Sequence, residues 1–229
     1  MNIFDIHIKN GEVIDGTGAP KFKSDIVIDK GKIIGVFPAE NGDVRDLSEN
    51  HFLSNFKAKH TINAENKIIS PGFIDVHTHD DDNVFLDPSM SSKISQGVTT
   101  CVAGNCGISL APFSYKGEVP APIALLGKSE VFRFPRVSDY KEEFNNKPSS
   151  VNLALLTGHS MLRVEAMNGE FARPATTKEI SKMVDKLKLA LEDGSIGLST
   201  GLAYPAANDA PTSEIIELAK ILPEFDGIF

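Results

Sequence analysis

Two histidines one residue apart, His77 and His79, follow an apolar run in the stretch PGFIDVHTHDDD at residues 71–82. Side chains two positions apart on a strand point the same way, so both imidazoles can bind one metal ion. Neutral imidazole is a common ligand for zinc. The motif alone is equally compatible with two polar strand-end histidines that bind nothing, so the interpretation depends on further ligands nearby.

Cys106 is a further candidate ligand, in the stretch AGNCG at residues 103–107. It follows a predicted strand at residues 98–103, and sites in α/β proteins gather at the carboxyl ends of parallel strands. A thiolate there would be a soft zinc ligand, and the flanking glycines let the backbone approach closely. The alternative is a buried, unreactive thiol, which is our interpretation of Cys101 inside the strand.

The chain after residue 70 alternates between predicted strands and helices, which is typical of βα units around a parallel sheet. Strands are predicted at residues 72–76, 98–103, 151–156 and 196–199, with a fifth beginning at 227. The first of these is predicted to be buried. Helices are predicted at residues 88–96, 138–144, 178–192 and from a cap at Thr212 or Ser213 to 222.

The predicted helix at residues 178–192 has the clearest pattern. Thr176 or Thr177 can cap its first turn. Its apolar residues recur at helical spacing and predict one buried face, formed by Ile180, Met183, Val184, Leu187 and Leu191.

The length of this region predicts a partial barrel. A (β/α)8 barrel of the TIM type needs ~250 residues and eight units, whereas the 159 residues from Pro71 to Phe229 supply about four. An ending at the start of a buried strand would leave an open sheet edge. We therefore expect the N-terminal part of a larger protein, and the alternative is a smaller open α/β sheet.

Residues 1–69 predict a small β-sandwich segment that precedes the barrel part at residues 70–229. The dipeptide Asn10-Gly11 predicts a hairpin turn. A strand at residues 24–29 is expected to turn at Lys30-Gly31 into the next strand at residues 32–36. Residues 38–59 are polar and weakly patterned and predict an insertion or a long loop.

Composition limits the possible partners. The chain has 23 Lys and Arg against 31 Asp and Glu, a net charge of −8, and the lack of a basic cluster disfavours nucleic-acid binding. No apolar stretch approaches the ~20 residues that cross a bilayer, and the N-terminus lacks the features of a secretory signal. The two cysteines are expected on opposite faces, which disfavours a disulfide. We expect a cytoplasmic protein with no nucleic-acid or membrane partner.

Four stretches together resemble the N-acyl-D-amino-acid deacylases, or D-aminoacylases, of the amidohydrolase superfamily. They are PGFIDVHTHDD, SQGVTTCVAGNCGIS, TGHSMLR and GLSTGLAYP. The opening NGEVIDGTG resembles the start of that family's β-sandwich. The His-x-His motif alone would indicate only the superfamily, whereas GNCG together with GLSTGLAYP is much more specific. The resemblance covers nearly the whole chain, with a poor fit at residues 38–59.

The resemblance implies a metal-dependent hydrolase with one or two zinc ions that cleaves the N-acyl amide of a small-molecule N-acyl-D-amino acid. His77 and His79 match the first metal histidines of the family, and Cys106 matches its metal-ligating cysteine. Tyr204 matches a tyrosine expected near the substrate carboxylate, with a packing role as the alternative.

Two further pairs of residues have matches in the family. His159 and Arg163 match the GHSxLR motif and either contact substrate or form a structural pair. Asp80 and Asp81 extend the HTHDD signature, and we expect them to orient ligands or to be solvated rather than to bind metal.

The resemblance also leaves parts of the family's site unmatched. The family's other metal histidines and its catalytic aspartate, the general base, are expected beyond Phe229, so the catalytic residue is unassigned and we expect the isolated chain to be inactive. The stretch GSIGLSTG at residues 194–201 lacks the lysine of many amidohydrolases, which disfavours the dihydroorotase and hydantoinase branches. The alternatives are another amidase of the superfamily and a non-catalytic α/β fragment.

Overall fold

A computed structural model describes residues 2–38, 56–116, 118–121 and 123–229. The chain divides into two compact units, Met1–Pro71 and Gly72–Phe229. Among the helices of these described ranges, none combines the length and the apolar character needed to cross a membrane.

The first unit contains a five-stranded mixed sheet. Its strands are β1 (Asn2–Val13), β2 (Phe22–Asp29), β3 (Lys32–Pro38), β4 (Phe56–Asn63) and β5 (Ile68–Ile69). The order is β3-β2-β1-β4, and β5 also pairs with β1. β1 runs antiparallel to β2 and parallel to both β4 and β5.

The turn predicted at Asn10-Gly11 is wrong. β1 continues through both residues, and its pairing with β2 gains one extra residue between Ile8 and Gly11. Asn10 adopts φ 63°, a left-handed conformation that asparagine tolerates, so the dipeptide forms a β-bulge instead of a hairpin. The turn predicted at Lys30-Gly31 is confirmed, because it joins the antiparallel strands β2 and β3.

The loop predicted at residues 38–59 is wrong at both ends, since Pro38 is the last residue of β3. Residues 56–59 belong to β4, which pairs with β1 along most of its length. Lys59 lies on this strand and its Nζ contacts Asp5 Oδ1 at 2.7 Å. Residues 39–55 lie outside the described residues.

The second unit alternates strands with helices. Its strands are β6 (Phe73–Asp75), β7 (Val98–Ala103), β8 (Phe113–Ser114), β9 (Arg133–Phe134), β10 (Asn152–Leu155), β11 (Thr157–Gly158) and β12 (Leu198–Ser199). Its α-helices are α1 (Asn83–Leu86), α2 (Ser91–Ile94), α3 (Val137–Asn146), α4 (His159–Ala166), α5 (Thr177–Glu192) and α6 (Thr212–Ala219). Short 3₁₀ turns occur at Ile123–Leu125, Ser129–Val131 and Leu222–Phe225.

The parallel strands of this unit follow one another in chain order. β7 pairs with β6 on one side and with β10 on the other. β11 pairs with β12, and Gly197 forms a parallel bridge with Ile228. The fold is therefore α/β with parallel sheets, as predicted, and the carboxyl ends of successive strands lie at the same edge.

The prediction of a buried strand at residues 72–76 is wrong in its burial. Phe73, Ile74 and Val76 are 59%, 61% and 67% exposed. β6 is the outer strand of its three-stranded sheet, and the described residues leave these side chains uncovered. An apolar run predicts a strand, but it does not reveal which neighbours are present to cover it.

Two predicted helices differ from the structure. Residues 88–96 form only α2, which begins after Met90, because the left-handed conformation of Met90 interrupts a right-handed helix. Helix α6 ends at Ala219 instead of 222, and its N-cap residue is Pro211 rather than a threonine or serine.

Helix α5 is confirmed and α4 was not predicted. Thr176 caps α5 and forms a reciprocal capping box with Glu179. The apolar face of α5 packs with α4 and α6 in one buried cluster that contains Leu162, Met183, Leu187, Leu191, Leu198 and Leu218. Seven of the eight residues of α4 are buried, so the helix lacks the amphipathic pattern that a sequence prediction needs.

Candidate metal centre

His77, His79 and Cys106 converge after β6 and β7. Their possible ligand atoms all lie within 4.8 Å of one another, and His77 Nε2 is 3.0 Å from Cys106 Sγ. The two imidazole rings meet edge to face with centroids 5.8 Å apart. Two imidazoles and a thiol form a donor set that suits zinc, so the residues present fit such an ion.

The histidine segment is fixed through the residue between the two histidines. β6 ends at Asp75, so His77 and His79 follow the strand rather than lie in it. Thr78 is buried, and both its backbone N–H and its hydroxyl donate to the Val102 carbonyl at 3.1 Å. Both histidines remain exposed, which keeps their ring nitrogens accessible. Partial shielding of the His79 ring from water, aided by the charge of His77, lowers the pKa of His79 and favours the neutral form that binds metals.

Cys106 lies in a tightly folded loop whose conformation depends on glycine. Cys106 itself has φ 56°, between Gly104 at 78° and Gly107 at 74°. A Cβ on Gly104 would lie 2.0 Å from the Leu156 carbonyl oxygen, and one on Gly107 would lie 2.8 Å from Gly201 N. The glycines thus permit the close backbone approach that the sequence predicted.

Asn105 joins this loop to the histidine segment. Its Nδ2 donates to the Val102 carbonyl at 2.8 Å and lies 3.5 Å from the carbonyl oxygens of Val76 and Thr78. These two carbonyls flank His77 in the chain. The side chain of Asn105 therefore links the backbone before Cys106 to the backbone around the first candidate histidine.

The aspartates of the HTHDD stretch have separate partners. Lys93 Nζ lies 2.7 Å from Asp75 Oδ2 and 3.0 Å from Asp80 Oδ2. Asp81 is fully buried, and its carboxylate accepts the backbone N–H groups of Gly104 and Leu110 at 3.4 and 3.3 Å. Burial outweighs these hydrogen bonds and raises the pKa of Asp81 to about 7. Asp81 is therefore not solvated, and the structure favours an orienting role.

An open pocket of about 410 Å³ adjoins two of the three candidate ligands, His77 and Cys106. His77 and Cys106 line one side of it, and Ser199 and Thr200 contribute hydroxyl groups. The pocket also has apolar walls, formed by Val76, Leu156, Leu198, Ile228 and Phe229. The arrangement provides a concave site with a few polar groups beside a possible metal position.

Tyr204 lies beside Cys106. The charge of the Cys106 side chain, followed by burial, raises the pKa of the Tyr204 phenol. The ring packs over Gly201, where an added Cβ would lie 2.6 Å from a ring carbon. The structure thus brings this predicted substrate contact next to the candidate ligands.

His159 and Arg163 lie in a buried ionic network instead of a pocket. Both are fully buried together with Glu214, which sequence reasoning missed because it resembles an ordinary acid in the first turn of α6. Arg163 contacts Glu214 Oε2 at 2.6 Å, and its remaining donors bind three backbone carbonyls, those of Ala206, Phe171 and Arg173. This arrangement favours the structural alternative for Arg163.

His159 connects this network to the pocket wall. Its Nε2 lies 2.8 Å from Glu214 Oε1 and its Nδ1 lies 3.2 Å from Thr200 Oγ1. Burial alone would raise the pKa of Glu214, but the hydrogen bonds from His159 and Arg163 outweigh it and lower that pKa. His159 therefore links the buried network to Thr200, which lines the pocket.

Comparisons with known proteins find close relatives of this chain. D-aminoacylase of Alcaligenes xylosoxydans xylosoxydans is 40% identical over 227 residues, which are 99% of this chain and 43% of that protein. A solved D-aminoacylase, studied for the role of its binuclear metal center, matches with a TM-score of 0.85 and 43% identity over 98% of this chain and 44% of its own.

A second solved structure is that of N-acyl-D-glutamate deacylase from Bordetella bronchiseptica, complexed with zinc and a phosphonate inhibitor that mimics the tetrahedral intermediate. It matches with a TM-score of 0.85 and 38% identity, over 97% of this chain and 44% of its own. The chain thus spans less than half the length of these relatives. Residues 60–222 match the protein family described as amidohydrolase family. The chain belongs to the amidohydrolase family.

Proposed function

We propose that this chain is part of a zinc-dependent amidohydrolase that cleaves the N-acyl amide bond of N-acyl-D-amino acids. The observation that carries the proposal is the convergence of His77, His79 and Cys106 within 4.8 Å, in a chain similar to D-aminoacylase along nearly its whole length. We assign zinc, as one or two ions, to these three side chains.

The donor set supports a catalytic rather than a purely structural ion. Catalytic zinc usually takes three protein ligands and keeps one position open, whereas structural zinc takes four. Zinc bound here would supply Lewis acidity for amide hydrolysis. The exposure of both histidines and the adjoining pocket leave room for a substrate beside the ligands.

The other residues of the site bind and orient the substrate. We assign Tyr204 to the substrate carboxylate, because its phenol lies beside Cys106. Thr200, supported by His159, offers a hydroxyl to the polar part of the substrate. We assign the general base to none of the described residues.

The proposal also assigns a structural role to each of the two units. Residues 1–69 would contribute strands to a small β-sandwich, and residues 70–229 would form about the first four units of a (β/α)8 barrel. The chain-order sequence of parallel strands in the second unit supports this assignment, since barrel strands neighbour one another in that order.

Hydrolysis of enantiomeric substrates tests the proposed activity. The zinc-loaded chain is incubated with N-acetyl-D- and N-acetyl-L-amino acids, and the released amino acid is quantified against the Cys106→Ala variant. Release from the D-enantiomer alone, lost in the variant, would support the proposal. Equal release from both enantiomers would contradict the proposed activity. Because the general base is assigned to none of the described residues, binding of the two enantiomers is measured as well, and a zinc-loaded chain that neither hydrolyses the D-enantiomer nor binds it in preference to the L-enantiomer would also contradict the proposal.

A further inference from the structure

We propose that Asp81 is a positioning residue that holds Cys106 in the geometry required for metal binding. Residues 104–110, here called the cysteine loop, carry Cys106. The inference rests on the proposed function, since it takes Cys106 as a metal ligand. It adds a role for a carboxylate that does not itself reach the metal position.

The carboxylate of Asp81 joins the two ends of the cysteine loop. Its Oδ2 accepts the backbone N–H of Gly104 at 3.4 Å, and its Oδ1 accepts that of Leu110 at 3.3 Å. Gly104 and Leu110 are the first and last residues of the loop. One side chain therefore fixes both the start and the end of the segment that presents the thiol.

Asp81 is itself held firmly. Its side chain is fully buried, and its backbone carbonyl accepts a hydrogen bond from Tyr140 Oη at 2.6 Å. It also follows His79 by two residues. The same short segment thus contains two candidate ligands, His77 and His79, and the carboxylate that accepts hydrogen bonds from the cysteine loop. Asp81 therefore sets the distance between the two histidines and the Cys106 thiol.

The loop needs such support because its conformation is unfavourable. Cys106 has φ 56°, in the left-handed region that side chains other than glycine rarely adopt. Ser199 gives a second, independent contact in the middle of the loop, where its Oγ accepts the Gly107 N–H at 3.0 Å and donates to the Gly104 carbonyl. Outer contacts of this kind orient metal ligands.

The neighbouring aspartates do not share this role. Asp80 faces Lys93, and Asp82 lies 4.0 Å from Arg133. Asp82 is the matched control, because it is also a buried aspartate of the same stretch. Asp81→Asn keeps the shape of the side chain but replaces one acceptor oxygen with an NH₂ donor. This donor would face a backbone N–H, so one of the two hydrogen bonds to the cysteine loop would be lost.

Cobalt titration of the metal-free chain tests the inference. Cobalt bound to a thiolate gives a near-ultraviolet charge-transfer band, which reports Cys106 directly. Asp81→Asn is expected to weaken cobalt affinity about 10–100-fold and to reduce this band at saturation, while the d–d absorption of histidine-bound cobalt persists. Asp82→Asn is expected to match the wild type, and Cys106→Ala to lose the band.

The outcomes separate the two proposals. A wild type without the thiolate band would overturn the proposed ligand set. A wild-type band that Asp81→Asn leaves unchanged in intensity and affinity would overturn the inference alone. If circular dichroism finds Asp81→Asn unfolded, the cobalt titration is repeated with Asp81→Glu. This variant keeps both acceptor oxygens but displaces them by the length of one methylene group. Unfolding of both variants would also overturn the inference, since Asp81 would then support the whole fold.

Discussion

At the residue scale, the candidate ligands are positioned by buried neighbours more than by their own packing. His77 and His79 are exposed, but Thr78 between them is buried and bonded to the Val102 carbonyl. Cys106 is fixed through the loop contacts of Asp81 and other residues. The candidate ligand atoms thus stay accessible while buried neighbours fix the backbone that carries them, as a functional site requires.

The buried network of His159, Arg163 and Glu214 gives a prediction at the same scale. Glu214→Ala leaves the Arg163 guanidinium buried without its carboxylate, so we expect the free energy of unfolding to fall by about 3–5 kcal/mol. Urea unfolding followed by circular dichroism measures this loss.

Glu217→Ala is the matched control for that experiment. Glu217 lies on the same helix α6 and pairs with Lys220, but both side chains are largely exposed. We expect its removal to change the unfolding free energy by less than ~0.5 kcal/mol. Equal losses in the two variants would contradict a special role for the buried network.

At the scale of the element, the start of helix α5 gives a prediction about pH. The Arg173 side chain and the Thr176 backbone N–H hydrogen-bond to Glu179 and hold its pKa well below the usual value of 4.5. A lowered carboxyl pKa contributes stability that is fully present above the pKa of the unfolded chain and is lost as the pH falls through the folded pKa. The stability difference between wild type and Glu179→Gln is therefore expected to decrease steadily below about pH 4.5.

Urea unfolding across an acidic pH series measures that difference. The Arg173→Gln background is the control, because it removes the hydrogen bond that contributes most to the lowered pKa of Glu179. In this background the effect of Glu179→Gln is expected to be smaller and to depend less on pH. A difference that stays constant down to strongly acidic pH would contradict the assignment.

Sequence patterns predicted the regular elements well and failed where burial was uniform or the backbone unusual. β7 and α5 have clear strand or helix patterns, and both lie where they were predicted. Helix α4 is buried on nearly all sides, so no periodic pattern marks it. Asn10-Gly11 is compatible with a turn and with a bulge, and only the pairing partners of β1 decide between them.

The structure brings together the three candidate ligands that the sequence suggested, whereas the residues that support them were not predicted. His77, His79 and Cys106 stand out because their types and their places after predicted strands suggest metal binding. Glu214 lies 51 residues from Arg163 in the chain, and Ser199 lies 92 residues from Gly107. Neither has a local signal, because these contacts depend on how distant segments fold together.

At the scale of the whole molecule, the second unit presents its strand ends in the order of the chain. β6, β7, β10–β11 and β12 each neighbour the next, and Ile228 follows beside Gly197. His77 follows the first of these strands and Cys106 follows the second, while Thr200 follows β12. The α/β fold thus collects the whole candidate site at one edge of the parallel strands.

Zinc content per chain tests the central claim most directly. Purified protein supplemented with zinc is desalted and measured by elemental analysis, as wild type, Cys106→Ala and Cys101→Ala. Cys101 is the matched control, because its thiol is buried inside β7. We predict at least one zinc per chain for wild type and Cys101→Ala, and its loss in Cys106→Ala. No zinc in the wild type, or full retention in Cys106→Ala, would contradict the assignment of His77, His79 and Cys106 as a metal site.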